Sequence, residues 1–89
     1  MDPRVRKAVL SKIDESIQGA GEIRQIQQHL GIPVQSPQDF AFGIAIGRIY
    51  NSFHYQTRRA LGRNATEQEF SEFLGILEGR VAEIRRAYQ

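Results

Sequence analysis

Apolar positions recur along this chain at helical spacing, in four blocks separated by glycine, proline and polar turns. In the first block Val5, Val9, Ile13 and Ile17 follow one another four residues apart with Leu10 alongside. That spacing predicts a helix over 3–18 with a single apolar stripe. Asp2 and Pro3 open it as a cap followed by the residue that fits the first helical position because it lacks an N–H. Gly19-Ala20-Gly21 is expected to break the helix, since glycine lacks the backbone restraint a helix needs. A shorter helix is predicted over 22–30, with Ile23, Ile26 and Leu30 on one side. Gly31 then supplies a left-handed end and Pro33 blocks continuation.

The third block is the most hydrophobic. Ser36 caps it, Pro37 takes the first helical position, and Asp39 places a carboxylate near the positive end of the helix dipole. Phe40-Ala41-Phe42-Gly43-Ile44-Ala45-Ile46-Gly47 then reads as helix that is apolar on every side. At about 100° per residue, Phe42, Ile46, Ile49, Phe53 and Ala60 share one face and Phe40 and Ile44 lie nearly opposite. Two lines of small residues, Gly43 with Gly47 and Ala41 with Ala45, run between them. Beyond Arg48 the pattern narrows to an ordinary amphipathic helix. The first half is therefore expected to be wrapped and the second half to be half exposed.

After a turn at Asn64-Ala65, Thr66 and Glu69 form a capping box for a fourth helix. Phe70, Leu74, Leu77, Val81, Ile84 and Tyr88 alternate at spacings of four and three, with Phe73 beside them. This seam is expected to pack back, antiparallel, on the third helix. No strand pattern or repeat intervenes. The chain thus predicts an all-α fold, one compact four-helix domain over 1–89 with helices at approximately 3–18, 22–30, 37–62 and 67–88. The third is its buried central axis.

A helix apolar all round needs more cover than three others of these lengths supply, so a symmetric homodimer is expected. Glycine inside a helix costs roughly 1 kcal/mol relative to alanine, so the pairs Gly43/Gly47 and Gly75/Gly79 call for a reason. Close approach of another backbone is one, as at tight helix crossings. The first pair has helix 1 or helix 4 of the same chain as a candidate partner. The second lies off the seam, and a second subunit or simple tolerance are both open there. The candidate oligomer interface is Phe40, Gly43, Ile44, Gly47, Gly75, Ile76 and Gly79.

Composition adds exclusions. The 89 residues carry a net charge of +2 and no cysteine, so disulfides, thiolate metal sites and thiol nucleophiles are absent. The apolar run at 40–47 is far short of the roughly 20 residues of a membrane span, and no signal-peptide pattern opens the chain. A cytoplasmic protein is expected, with no membrane association. His29 and His54 fall on different helices with no acid at ligand spacing, and no phosphate loop or nucleophile elbow is present. Neither an enzyme nor a cofactor or metal is expected. Asn64-Ala65-Thr66 matches a glycosylation acceptor but reads as turn chemistry.

Two patterns bear on nucleic-acid binding. Leu30-Gly31-Ile32 resembles the turn of a helix-turn-helix, but the helix after it offers Phe40, Ala41, Phe42, Ile44 and Ala45 where a recognition helix needs polar side chains. Residues 40–65 hold Arg48, Arg58, Arg59 and Arg63 and no acid, with His54 and Tyr55 interleaved, a mix that suits phosphate contact and base stacking. Glu67, Glu69 and Glu72 are expected to lie nearby and neutralise much of this patch. The favoured reading is a non-catalytic homodimeric interaction or regulatory module that presents helical surface to a protein partner. The alternative is nucleic-acid binding through Arg48, Tyr55, Arg58, Arg59 and Arg63.

Overall fold

The computed structural model describes residues 1–89 as four helices: α1 Pro3–Gln18, α2 Ala20–Leu30, α3 Pro37–Leu61 and α4 Glu67–Ala87. Local chemistry sets their ends. The Arg4 N–H donates to the Asp2 carboxylate at 2.8 Å and the Asp39 N–H to Ser36 Oγ at 3.1 Å. At α4 both halves of the capping box form: the Glu69 N–H donates to Thr66 Oγ1 at 3.1 Å and the Thr66 N–H to the Glu69 carboxylate at 2.9 Å. Gly31 and Gly62 end α2 and α3 at φ 64° and 68°, the left-handed conformation that L side chains adopt only with strain.

The break between α1 and α2 is tighter than the glycine pair implies. Gly19 alone separates the helices. Its N–H donates to the Glu15 carbonyl at 2.8 Å while its own carbonyl accepts from Glu22 and Ile23, so one residue ends α1 and begins α2. Ala20 and Gly21 are helical, and Ala20 is buried.

α3 is the central element, with α1, α2 and α4 all packed on it and α1 running closest along it. Its buried stripe differs from the expected one. Ala41, Ala45, Ile49, Ser52, Phe53 and Thr57 are buried, whereas Phe42, Ile46 and Ala60 only flank the core. The small-residue line Ala41–Ala45 faces inward because it admits neighbouring helices more closely than the line of large residues would. The cover is one-sided. Phe40, Gly43 and Gly47 remain exposed, so the first half of α3 is not wrapped.

Val5, Val9, Ile13 and Ser16 form the buried face of α1, with Leu10 and Ile17 at its margin. In α2 only Ala20 and Ile23 are buried; Ile26 and Leu30, expected on the same face, lie on the surface. The seam of α4 is rotated from the expected one. Phe73, Ile76, Ile84 and Tyr88 are buried, while Phe70, Leu74 and Val81 are exposed. The reason is that α4 packs against α1 as well as α3, which turns Ile76 inward. Contact with α3 is made through rings: Phe53 and Phe73 stack at 4.5 Å and 11° in the core. At the far end the Tyr88 hydroxyl donates to the Ser16 carbonyl at 2.7 Å, and Arg24 donates to the Ala87 carbonyl.

Phe53→Ala should lower the unfolding free energy by about 3–5 kcal/mol in urea denaturation, through lost burial and the cavity beside Phe73. Tyr88→Phe should cost about 1–3 kcal/mol, since it leaves the buried Ser16 carbonyl without this donor.

Candidate interaction surfaces

The outward side of α3 is where the apolar run and the fold disagree. Phe40, Gly43, Gly47, Tyr50 and His54 follow at spacings of three and four, the spacing of a helix–helix seam. Phe40 is 38% and Tyr50 47% exposed, Gly43 and Gly47 are exposed, and Ile44 is half-buried beside them. A side chain added at Gly43 or Gly47 would meet nothing within 4 Å. No element of the chain therefore approaches these glycines, contrary to the expectation that α1 or α4 packs there.

The apolar surface continues toward α4. The Arg85 guanidinium lies over the Phe42 ring at 4.8 Å and donates to Asp39, which fixes that side of α4 against α3. On helical phase Phe70, Leu74 and Val81 lie on the same side as Arg85. Tyr50 extends the row, with its ring 6.3 Å from Phe70 and edge-on to His54 at 4.8 Å. His54 also lies 5.0 Å from Phe53, so it is half-buried in an aromatic cluster with no carboxylate partner. His29 is exposed, with Nδ1 3.0 Å from the Gln25 carbonyl.

Gly75 and Gly79 lie elsewhere, on an open groove of about 470 Å³ between α1 and α4, lined also by Arg6, Leu10, Glu72, Ile76 and Arg80. Nothing lies within 4 Å of a side chain built at either glycine. Ile76, expected beside them in an interface, is 9% exposed and belongs to the core. The other six candidate interface residues thus form two surfaces on different helices.

The basic residues also separate. Arg63 is taken up by Glu69, at 2.8 Å in an ion pair that also braces the α4 cap. Glu72 pairs with the Met1 amine instead of an arginine. Arg58 and Arg59 make no ion pair, contrary to the expected neutralisation from the start of α4. Arg48 lies on the α1 side of α3, in a polar groove with Lys12, Asn51, Ser52, Tyr55 and Gln56. Lys12 is the member sequence reasoning missed: it lies 36 residues earlier on another helix, and only packing brings it to Arg48.

No group of three or more His, Cys, Asp or Glu side chains could hold a metal ion, and no catalytic constellation is present. No helix is long and apolar enough to cross a membrane. The chain is a small all-α domain whose accessible chemistry is helical surface. Comparison with known protein families, curated proteins and solved structures finds no match.

The Arg63 guanidinium, with the Thr66 N–H, holds the Glu69 carboxyl at about 2, below its ordinary 4.5. A depressed carboxyl stabilises the fold fully above its unfolded value, and the contribution fades as pH falls toward the folded one. The melting temperature of the native chain should therefore exceed that of Glu69→Gln above about pH 5, and the gap should close on approaching pH 2, in paired thermal melts.

Proposed function

We propose that this protein is a non-catalytic interaction module that works as a homodimer, with α3 of one copy seated on α3 of a second. The observation that carries this reading is the bare row Phe40, Gly43, Gly47 and Tyr50 on the most hydrophobic helix of the chain. Bulky rings and an open glycine notch occur on one face, which makes that face complementary to itself, as a two-fold interface requires. Between Asp39 and Arg48 the helix carries no charge, so a second apolar face is its matching chemistry. Area points the same way. The chain exposes 5773 Å², whereas a folded monomer of its mass exposes about 5,300 Å². A surplus of that kind suits a protein that buries several hundred Å² per copy on pairing.

Dimerisation through α3 leaves the α1–α4 groove over Gly75 and Gly79 accessible to a further protein partner. A second reading, nucleic-acid contact, is favoured by Arg58 and Arg59 having no carboxylate partner; Arg63 contributes least, being held by Glu69.

Sedimentation over a range of concentrations tests the dimer. Twice the chain mass is expected, and Gly47→Glu should weaken association by about a hundredfold or more, because it places an unpaired charge in the closed notch. The substituted glycine sits in open space, so the monomer fold is retained. Gly79→Glu should leave the mass unchanged. A native chain that stays monomeric at high concentration sinks the reading, and dissociation by Gly79→Glu instead moves the interface to α4.

A further inference from the structure

The groove between α1 and α3 has a composition found nowhere else on the molecule. Six residues line its roughly 290 Å³: Lys12 from α1, and Arg48, Asn51, Ser52, Tyr55 and Gln56 from α3. None is acidic, and all six carry a group that can donate a hydrogen bond. The other grooves differ: those along α1 hold Glu72 or Asp14, and the one at the end of α4 is lined mainly by glutamines beside Arg24. Arg48 forms no hydrogen bond or ion pair with any side chain of the protein, unlike Arg63, Arg80 and Arg85, which are all paired. Its cost of side-chain ordering is therefore not offset within the chain.

The second cation is only lightly held. Lys12 pairs with Glu15 one turn away at 3.2 Å, and Glu15 is 58% exposed, so the pair is a weak surface contact that an incoming anion can displace. Tyr55 is 52% exposed at the same groove and offers a ring face. Burial pushes the Tyr88 hydroxyl up, while Arg48 and Arg24 act in the opposite direction. Two cations, two side-chain amides and an exposed tyrosine line an open groove just under the roughly 300 Å³ of the smallest ligand pockets.

We propose that the α1–α3 groove binds a phosphate group carrying an aromatic ring, as in a nucleotide. Lys12 and Arg48 supply the counter-charge, with Arg48 able to meet two phosphate oxygens at once through its planar fork. Asn51 and Gln56 donate to the remaining oxygens or to the sugar, and Tyr55 stacks against the ring. The site goes beyond the dimer reading and is independent of it, because the groove and the row Phe40–Gly43–Gly47 lie on different sides of α3. The same chemistry is present in a free nucleotide and in a single-stranded nucleic acid.

Amide chemical shifts of the full chain, followed by NMR at low salt, test the site with ADP, with adenosine and with an oligothymidylate as separate probes. ADP is expected to give saturable shifts at Lys12 and across 48–56, and adenosine none, since it lacks the phosphate. The Lys12→Ala/Arg48→Ala double variant should lose about tenfold or more in affinity, and its unchanged shifts elsewhere show that it folds. Glu15→Gln should tighten binding by freeing Lys12. If the oligothymidylate shifts these residues and ADP does not, the source of the phosphate is a nucleic-acid backbone. Loss of two contacts in the double variant should then flatten the salt dependence by a slope of about 1.4. Absence of saturable shifts with both ADP and oligothymidylate overturns the proposal. So do shifts that persist in the double variant, or that centre on Arg58 and Arg59 instead.

Discussion

Ala41 and Ala45 sit fully buried on the central helix, where their small side chains allow neighbouring helices to approach. Once that line is turned inward, the rest of the arrangement is constrained. A helix turns about 100° per residue, so choosing the alanine line as the centre of the core sends Phe40, Gly43 and Gly47 outward. The larger Phe42 and Ile46 go to the flank, and α4 is held there by Phe53, Phe73 and the Arg85–Phe42 contact. Three helices gather on one half of α3, and the other half remains bare. The exposed apolar face follows from dense packing opposite it.

Charge is distributed with the same economy. Three carboxylates at helix starts are engaged: Asp2 with Arg4, Asp39 with Arg85, and Glu69 with Arg63 and Thr66. These contacts serve the caps and the corners between helices. What they leave unpaired along α3 is basic, namely Arg48, Arg58 and Arg59. The first of these stands in a groove of donors, while the other two project from the last turn of the helix. The functional surfaces inferred for this domain are thus two sides of one helix: an apolar row suited to a second copy and a polar groove suited to an anion.

Most of the fold was legible in the sequence because helix ends are local events. Ser36-Pro37, Thr66 with Glu69, Gly31 and Gly62 each act within one turn of chain, and each does in the structure what its chemistry requires. Apolar periodicity placed all four helices, and it located Val5, Val9, Ile13, Ile49 and Phe53 in the core. Errors arose where a segment had apolar residues on more than one side. Periodicity then names several faces and cannot choose between them, as with Phe42–Ile46 against Ala41–Ala45 on α3, and Leu74–Val81 against Ile76 on α4.

By itself, then, the sequence determined the class of fold, the number of helices and most of their limits, and the lack of thiol chemistry, since all of these depend on residue type and short spacing. Only the tertiary structure decided which face of α3 is buried, that Gly43 and Gly47 stand open, and that Glu69 engages Arg63 while Arg58 and Arg59 stay free. It alone brought Lys12 beside Arg48. These outcomes depend on the angles and distances at which separate helices meet. They are set by the balance of side-chain volumes at the contacts, which no single stretch of chain contains.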